Sequence, residues 1–415
     1  MDLLYCSSPR ISSGQLFNPR CSSTSRSHSP RVFTLRSSLP FPPENAKYHR
    51  ELQAAVNVVE KSCRLCVDVR KSLFGSNERI LEKNDQTPVT VADFGVQALI
   101  SLELSRLFPS IPLVAEEDSK SIRSTPLSQA VVSAVIDKAS LGDELLSQDD
   151  VLEAIDRGGK DAFAFGTKPA IYWVLDPIDG TKGFLKGGEA LYVVGLALVV
   201  EGEIVLGVMG CPNWEGKFSK QLTAEDQEDR TLLSGSGIVM VAHIGCGTWR
   251  KRLSDMLVDR VEVHSDWVRC FVDKCCLVHE ARFCISDSQT WESLPISILF
   301  SSTNNADSIG DRQITLLPTC CGSLCKYLMV ASGKASVFIL QARTQTIIKA
   351  WDHAAGVICV LEAGGQVTDW KGSQFDLAAD QVERRVIFIS AGVLVTNGNL
   401  HKQILEIISV SSSIV

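Results

Sequence analysis

No apolar run in this sequence is long enough to span a membrane. The longest, such as Leu191 to Val200, fall well short of the roughly 18 residues that a span needs. Positive charge is also short: 41 Lys and Arg against 48 Asp and Glu leave a net charge of −7. That balance argues against a nucleic acid polymer as partner, though not against one small anionic ligand in a local basic pocket. The seven histidines are scattered, and none completes a zinc-finger spacing with the 14 cysteines. No internal repeat is present. Acidic residues are missing altogether from Leu3 to Pro43, a stretch that carries Arg10, Arg20, Arg26, Arg31 and Arg36 among many serines. It lacks the compact apolar centre of a secretory signal. The composition is that of a mitochondrial or chloroplast transit peptide ahead of the alternative, a plain disordered tail. Residues 1–44 are set apart as a leader, and an organellar location is expected, the mitochondrion ahead of the chloroplast.

What is there is ordinary for a globular chain: 415 residues, 45% hydrophobic and 21% charged, room for two or three domains and a large core. Helical spacing of apolar residues runs through Tyr48–Leu73 and Thr90–Phe108. Ile111–Ala115 and Ile171–Leu175 read as strands, and Leu191–Val200 with Ile204–Met209 as a hairpin across Glu201-Gly202-Glu203. Ser124–Gly159 reads as an acidic, partly helical surface segment. Residues 215–237 are polar and contain Gly and Ser, which places a boundary there. Beyond it strands (Val239–His243, Arg282–Ser286, Ala335–Leu340, Val386–Ile389, Val393–Thr396) alternate with helices (Leu324–Ala331, His353–Ala363, Leu400–Ile408). This alternation predicts an α/β layered sandwich. Cys63 and Cys66 stand at CxxC spacing inside the first helix, where buried thiols are expected ahead of a redox switch.

Three times a hydrophobic element ends and carboxylates appear at its tip: Leu113–Ser119 (LVAEEDS), Tyr172–Thr181 (YWVLDPIDGT) and Lys349–Gly356 (KAWDHAAG). In the second, Pro177 stiffens and Gly180 permits a turn that aims Asp176 and Asp179 the same way, with the Ile178 carbonyl between them. Oxygen-only ligands suit Mg²⁺, and converging carboxylates need a counter-charge. The Thr181 hydroxyl follows directly and can hold a water. Taken singly, each cluster could be a solvated turn, and Asp352 could be a helix N-cap. Their conjunction is what favours a metal site.

These segments resemble the inositol monophosphatase superfamily, whose signature is D-P-I/L-D-G-T followed by W-D-x-A-A-G. Within it the chain is most similar to the 3′(2′),5′-bisphosphate nucleotidase branch, on Lys83–Asp93 (KNDQTPVTVAD), Trp351–Gly356 (WDHAAG) and Leu361–Trp370 (LEAGGQVTDW). The leader and the CGSLCKY stretch look most like its plant organellar members. The resemblance covers about Tyr48 to Ile408. It implies an αβαβα sandwich of the inositol monophosphatase and fructose-bisphosphatase type, with two closely packed subdomains, α+β over 45–230 and α/β over 231–415. It implies two or three Mg²⁺ ions held by Glu116, Asp176, the Ile178 carbonyl, Asp179 and Asp352. Asp93, Thr181 and Glu116 would carry catalysis. Ser323, Lys326, Gly180, Thr181, Asp352 and, more loosely, His243 would meet the substrate. The branch usually ends the strand after the KY dipeptide in an arginine; here VFILQAR puts Leu340 or Gln341 in that place, with Arg343 beyond. The acidic segment Leu141–Asp156 exceeds what the family core needs.

The implied reaction is hydrolysis of the 3′-phosphate of adenosine 3′,5′-bisphosphate to AMP and phosphate, with the 2′,5′ isomer and 3′-phosphoadenylyl sulfate as further substrates. One alternative is an inositol phosphate or polyphosphate phosphatase with the same metal site. Another, of a different class, is a catalytically weak, nucleotide-binding or redox-responsive regulator. Monomer and homodimer both remain open.

Overall fold

The computed structural model describes residues 39–73, 80–82, 88–139, 146–160, 162, 165, 170–188, 190–214, 237–253, 267–287, 289–294, 297, 314–319, 322–342 and 347–412. The leader to residue 38, Lys83–Gln86 and Thr87 of the KNDQTPVT motif, the boundary segment 215–236, residues 141–145 of the acidic segment, Cys320, Cys321 and Arg343 lie outside them.

Helix α1 (His49–Leu73) is followed by the short hairpin β1 (Ile80–Glu82) and β2 (Pro88–Thr90), then helix α2 (Val91–Leu107) and strand β3 (Leu113–Ala115). Helices α3 (Leu127–Ile136) and α4 (Gln148–Asp156) precede β4 (Ile171–Asp179) and the one-and-a-half-turn helix α5 (Thr181–Lys186). Strands β5 (Val193–Val200), β6 (Glu203–Cys211), β7 (Ile238–His243), β8 (Gly247–Arg252) and β9 (Val268–Arg269) complete a seven-stranded sheet in the order β3-β4-β5-β6-β7-β8-β9. It is antiparallel throughout except for the β3–β4 pair. A second sheet holds β10 (Arg282–Ser286), β11 (Thr315–Thr319), β12 (Val337–Gln341), β14 (Gln366–Asp369) and β16 (Gly392–Thr396) in the order β11-β10-β12-β16-β14. Strands β13 (Ile348–Lys349) and β15 (Val386–Ile387) form a separate ribbon. Helices α6 (Ser323–Ala331), α7 (Ala354–Glu362) and α8 (His401–Ser412) belong to this later half.

The layers follow from which faces are apolar. Along β4, Trp173 and Leu175 point into one core while Tyr172 and Val174 point into another; on β5, Val194, Leu196 and Leu198 alternate likewise with Val193, Ala197 and Val199. A sheet buried on both faces needs such near-continuous apolar strands, which is why these runs were legible. Helices α1 and α2 cover the first face, α6 and α7 fill the space between the sheets, and α8 closes the outer face of the second sheet. The order α/β/α/β/α is the expected sandwich.

Three expectations shift. The strands on both sides of residues 215–236 belong to one sheet, and residues 37–415 form one compact unit. The change of sheet comes between β9 and β10, after the expected boundary at 230. The segment 124–159 is more than surface: Val131, Val135, Val151, Leu152 and Ile155 are buried, and α3 and α4 pack on α2. That explains why every residue of α2 from Val91 to Leu104 is buried. Finally, the fold begins before residue 44. Leu39, Phe41 and Ala46 are buried, and the Phe41 ring packs against His49 and His243. Phe41→Ala should therefore cost about 2–4 kcal/mol of unfolding free energy in urea titration; a leader running through residue 44 would lose nothing.

Candidate metal centre and active site

The acidic groups meet where β3, β4, α2, α6 and α7 end or begin. On a regular strand Asp176 and Asp179, three residues apart, would face opposite sides. The register slips between them: Asp176 pairs with Gly195 and Asp179 with Val193, so three steps on β4 span two on β5. Pro177, which has no N–H to give the ladder, lies in this bulge. The extra residue brings both carboxylates to one side. Gly180 then takes the left-handed conformation (φ 89°), which L-residues resist, and starts α5 with Thr181.

Asp176, Asp179 and Asp352 each offer a carboxylate oxygen within 4.8 Å of the other two. Asp176 and Asp179 are buried and Asp352 is half-buried. Burial, then the Glu116, Asp179, Asp352 and Asp93 carboxylates, push Asp176 well above the ordinary carboxyl range. Burial, then Asp179 and Glu116, do the same to Asp352. Glu116, at the tip of β3, thus acts electrostatically on both. Asp179 is anchored by the start of α6: the Ser323 N–H donates to Oδ1 (2.8 Å) and the Cys325 N–H to Oδ2 (3.3 Å). Gly322 lets the two approach, since a Cβ there would stand 2.2 Å from Asp179 Oδ2. Asp176 differs. Its Oδ1 is buried without a hydrogen-bond partner among the described residues. A buried, unpartnered carboxylate oxygen amid two further carboxylates fits a hard divalent cation, and all the donors are oxygen.

Beside this cluster lies an aligned pair. The Asp93 carboxylate closes the α2 capping box through Oδ2, which accepts from the Thr90 N–H (2.8 Å) and hydroxyl (2.7 Å). Its Oδ1 is 3.1 Å from the Thr181 hydroxyl, which also lies 3.2 Å from the Ile178 carbonyl.

Residues 48–412 match the inositol monophosphatase family. The chain belongs to that family. A protein of Arabidopsis thaliana with the provisional name of a mitochondrial 3′(2′),5′-bisphosphate nucleotidase is 62% identical over 397 residues, 96% of this chain and 95% of that protein. The 3′(2′),5′-bisphosphate nucleotidase of Oryza sativa is 33% identical over 376 residues, covering 86% of this chain and 93% of its own length. Among solved structures, the IMPase of Thermotoga maritima (TM-score 0.51, 19% identity, 88% of this chain and 98% of that one) and the extragenic suppressor protein SuhB of Bartonella henselae (TM-score 0.52, 18% identity, 86% and 98%) share the fold.

For this family member, the structure gathers Asp93, Glu116, Asp176, Ile178, Asp179, Gly180, Thr181, Ser323 and Asp352 around one point. It does not bring in two other expected residues. Lys326 is 2% exposed; its Nζ donates to the Gly322 carbonyl (2.7 Å) and sits over the Phe338 ring. In this arrangement it braces the turn before α6, beneath the residue that abuts Asp179. His243 lies at the level of Trp173 on β4, three residues back from Asp176 and three strands across. That is about 10 Å along the strands and about 14 Å across them. Its Nε2 accepts from the Tyr48 N–H, which serves the docking of the N-terminal segment, and its Nδ1 faces the adjacent Ile244 carbonyl, so both nitrogens are engaged locally. Asp352 is not the N-cap of α7; that position is His353, whose Nδ1 is 2.8 Å from the Tyr327 hydroxyl. Burial lowers His353 to about 3, so this tie between α6 and α7 is uncharged. Sequence reasoning missed the Tyr327–His353 tie and Gln97; helical spacing pointed to both, since Tyr327 stands four residues after Ser323 and Gln97 four after Asp93. Cys63 and Cys66 are buried with thiols pushed well above their ordinary range, mainly by burial, which makes them inert.

Raised carboxyl groups set a sign. Without cation, the folded chain binds protons that the unfolded chain releases, so its stability falls as pH rises from the ordinary carboxyl value of about 4 through the raised ones. Asp176→Asn removes that repulsion. It should raise the melting temperature of the chelator-treated protein at pH 7.5 and abolish the further rise on adding Mg²⁺. Calorimetry of both proteins with and without Mg²⁺ checks this.

Proposed function

We propose that this chain is a magnesium-dependent 3′(2′),5′-bisphosphate nucleotidase that removes the 3′-phosphate of adenosine 3′,5′-bisphosphate, giving AMP and phosphate. The full-length likeness to nucleotidases carries the substrate class; the convergence of Asp176, Asp179 and Asp352 supports the chemistry. Glu116, Asp176, the Ile178 carbonyl, Asp179 and Asp352 would hold the ions. Bound there, they supply charge neutralisation to the transferring phosphate and its leaving 3′-oxygen.

The chain's own residues do the rest. The Thr181 hydroxyl donates toward Asp93 Oδ1, leaving a lone pair to accept from an attacking water. With Oδ2 committed to Thr90, Oδ1 is the oxygen that takes up the proton. Ser323 and Gly180 border the place for the sugar, beside the α6 N-terminus, whose first N–H groups are already directed at Asp179. Lys326 supports that turn from beneath. At the expected arginine position Leu340 is half-buried and Gln341 is exposed at the end of β12, so neither residue offers a bidentate guanidinium there; Arg343 lies outside the described residues. The leader composition and the mitochondrial name of the Arabidopsis relative support an organellar location, the mitochondrion specifically. No helix among the described residues is long and apolar enough to cross a membrane.

Phosphate release from adenosine 3′,5′-bisphosphate should exceed that from inositol 1-phosphate at equal Mg²⁺; the reverse order would favour the inositol phosphatase reading. Asp179→Asn should lower kcat at least about a hundredfold in a folded protein; near-normal turnover would remove it from the ligand set. A fluorescent protein fused behind residues 1–48 should overlap a mitochondrial stain in plant cells.

A further inference from the structure

The side chain of Gln97 is fully buried on α2, one turn beyond Asp93. Its Nε2 donates to the Glu117 carbonyl (2.6 Å) and to the Ile155 carbonyl (2.8 Å), and its Oε1 accepts from the Glu117 N–H (2.9 Å). Two carbonyls on one side and an N–H on the other fix which end of the amide is which. The amide therefore grips both backbone groups of Glu117, as a neighbouring strand would, right beside Glu116. The turn after α4 supplies the second support. The Gly158 carbonyl accepts from the Ala115 N–H (2.9 Å), and Asp156 accepts from the Ser119 N–H and hydroxyl (2.8 Å each). Arg385 donates to the same Gly158 carbonyl (2.7 Å). The tip of β3, residues 115–119, is thus held at both ends by the far end of the acidic segment, with Gln97 joining the two.

We propose that Gln97 is the positioning residue that fixes Glu116 relative to Asp93, and that the α4 turn is its brace. One rigid helix then carries the group that takes the proton and sets the place of the carboxylate that completes the cation site. The role rests on the magnesium-dependent reading above. It also gives the acidic segment a function: it holds the ligand-bearing tip of a strand that is itself only three residues long.

The test compares wild type, Gln97→Met and Gln97→Glu. A protonated glutamic acid can keep the Glu117 N–H bond and one of the two donor bonds; methionine keeps none. The readouts are the Mg²⁺ concentration giving half the metal-induced rise in melting temperature, and kcat and KM for adenosine 3′,5′-bisphosphate at saturating Mg²⁺. For Gln97→Met the Mg²⁺ midpoint should rise about tenfold or more and kcat should fall, with KM within about twofold, and Gln97→Glu should lie between. A folded Gln97→Met with the wild-type Mg²⁺ midpoint would overturn the proposal, whatever its melting temperature. If Gln97→Met does not fold, Asp156→Asn replaces it under the same criteria. A wild type that Mg²⁺ does not stabilise overturns the metal reading, and the role of Gln97 with it; a normal Mg²⁺ response without nucleotidase activity tells against the substrate alone.

Discussion

The fold must hold several carboxylates close together and away from water. At 4 Å, two like charges repel by about 4 kcal/mol in a protein-like medium, and here three aspartates crowd within 4.8 Å with Glu116 and Asp93 nearby. The molecule answers unevenly. Asp93 is absorbed into a helix cap, and Asp179 is met by the first N–H groups of α6, where the helix dipole also favours negative charge. Asp176 Oδ1 has no hydrogen-bond partner among the described residues. The geometry thus concentrates the unmet demand for positive charge at one oxygen, which is how a protein without a bound ion can already specify where an ion belongs.

The scaffold imposes this arrangement chiefly through its backbone. β4 is the second strand of a sheet buried on both faces, and its two aspartates are set by a bulge and not by side-chain choice. α6 and α7 lie between two sheets, and the Tyr327–His353 bond ties the middle of α6 to the start of α7. What the DPIDGT and WDHAAG segments encode is therefore mostly backbone: a slip in register, a left-handed glycine, an uncharged histidine that locks a helix.

Much of this was legible because its signals are local. The alternation on β4 and β5, the helical spacing of α1 and α2, and the acids at element tips all lie within short stretches of chain. Three readings depended on partners distant in sequence and came out differently. Phe41 looked like leader because its company is arginine and serine, yet its pocket is built by His49 and His243. Lys326 looked like a phosphate ligand because it is a lysine in the right motif, yet Gly322 and Phe338 take its charge inward. The 124–159 segment looked like surface because acids dilute its apolar residues, yet α2 needs a cover on its remaining sides. Gln97 belongs with them: its place one turn after Asp93 was readable, yet what it grips shows only once the strand tip is in place.

The three clustered aspartates come from different strata. Asp176 and Asp179 rise from the first sheet, while Asp352 descends from the head of a helix in the middle stratum. An ion shared among them would be a rivet through two plates. Its loss would loosen the sliding of helix over sheet along an extended boundary instead of freeing a single loop, so metal starvation and heat would strain this protein along the same plane.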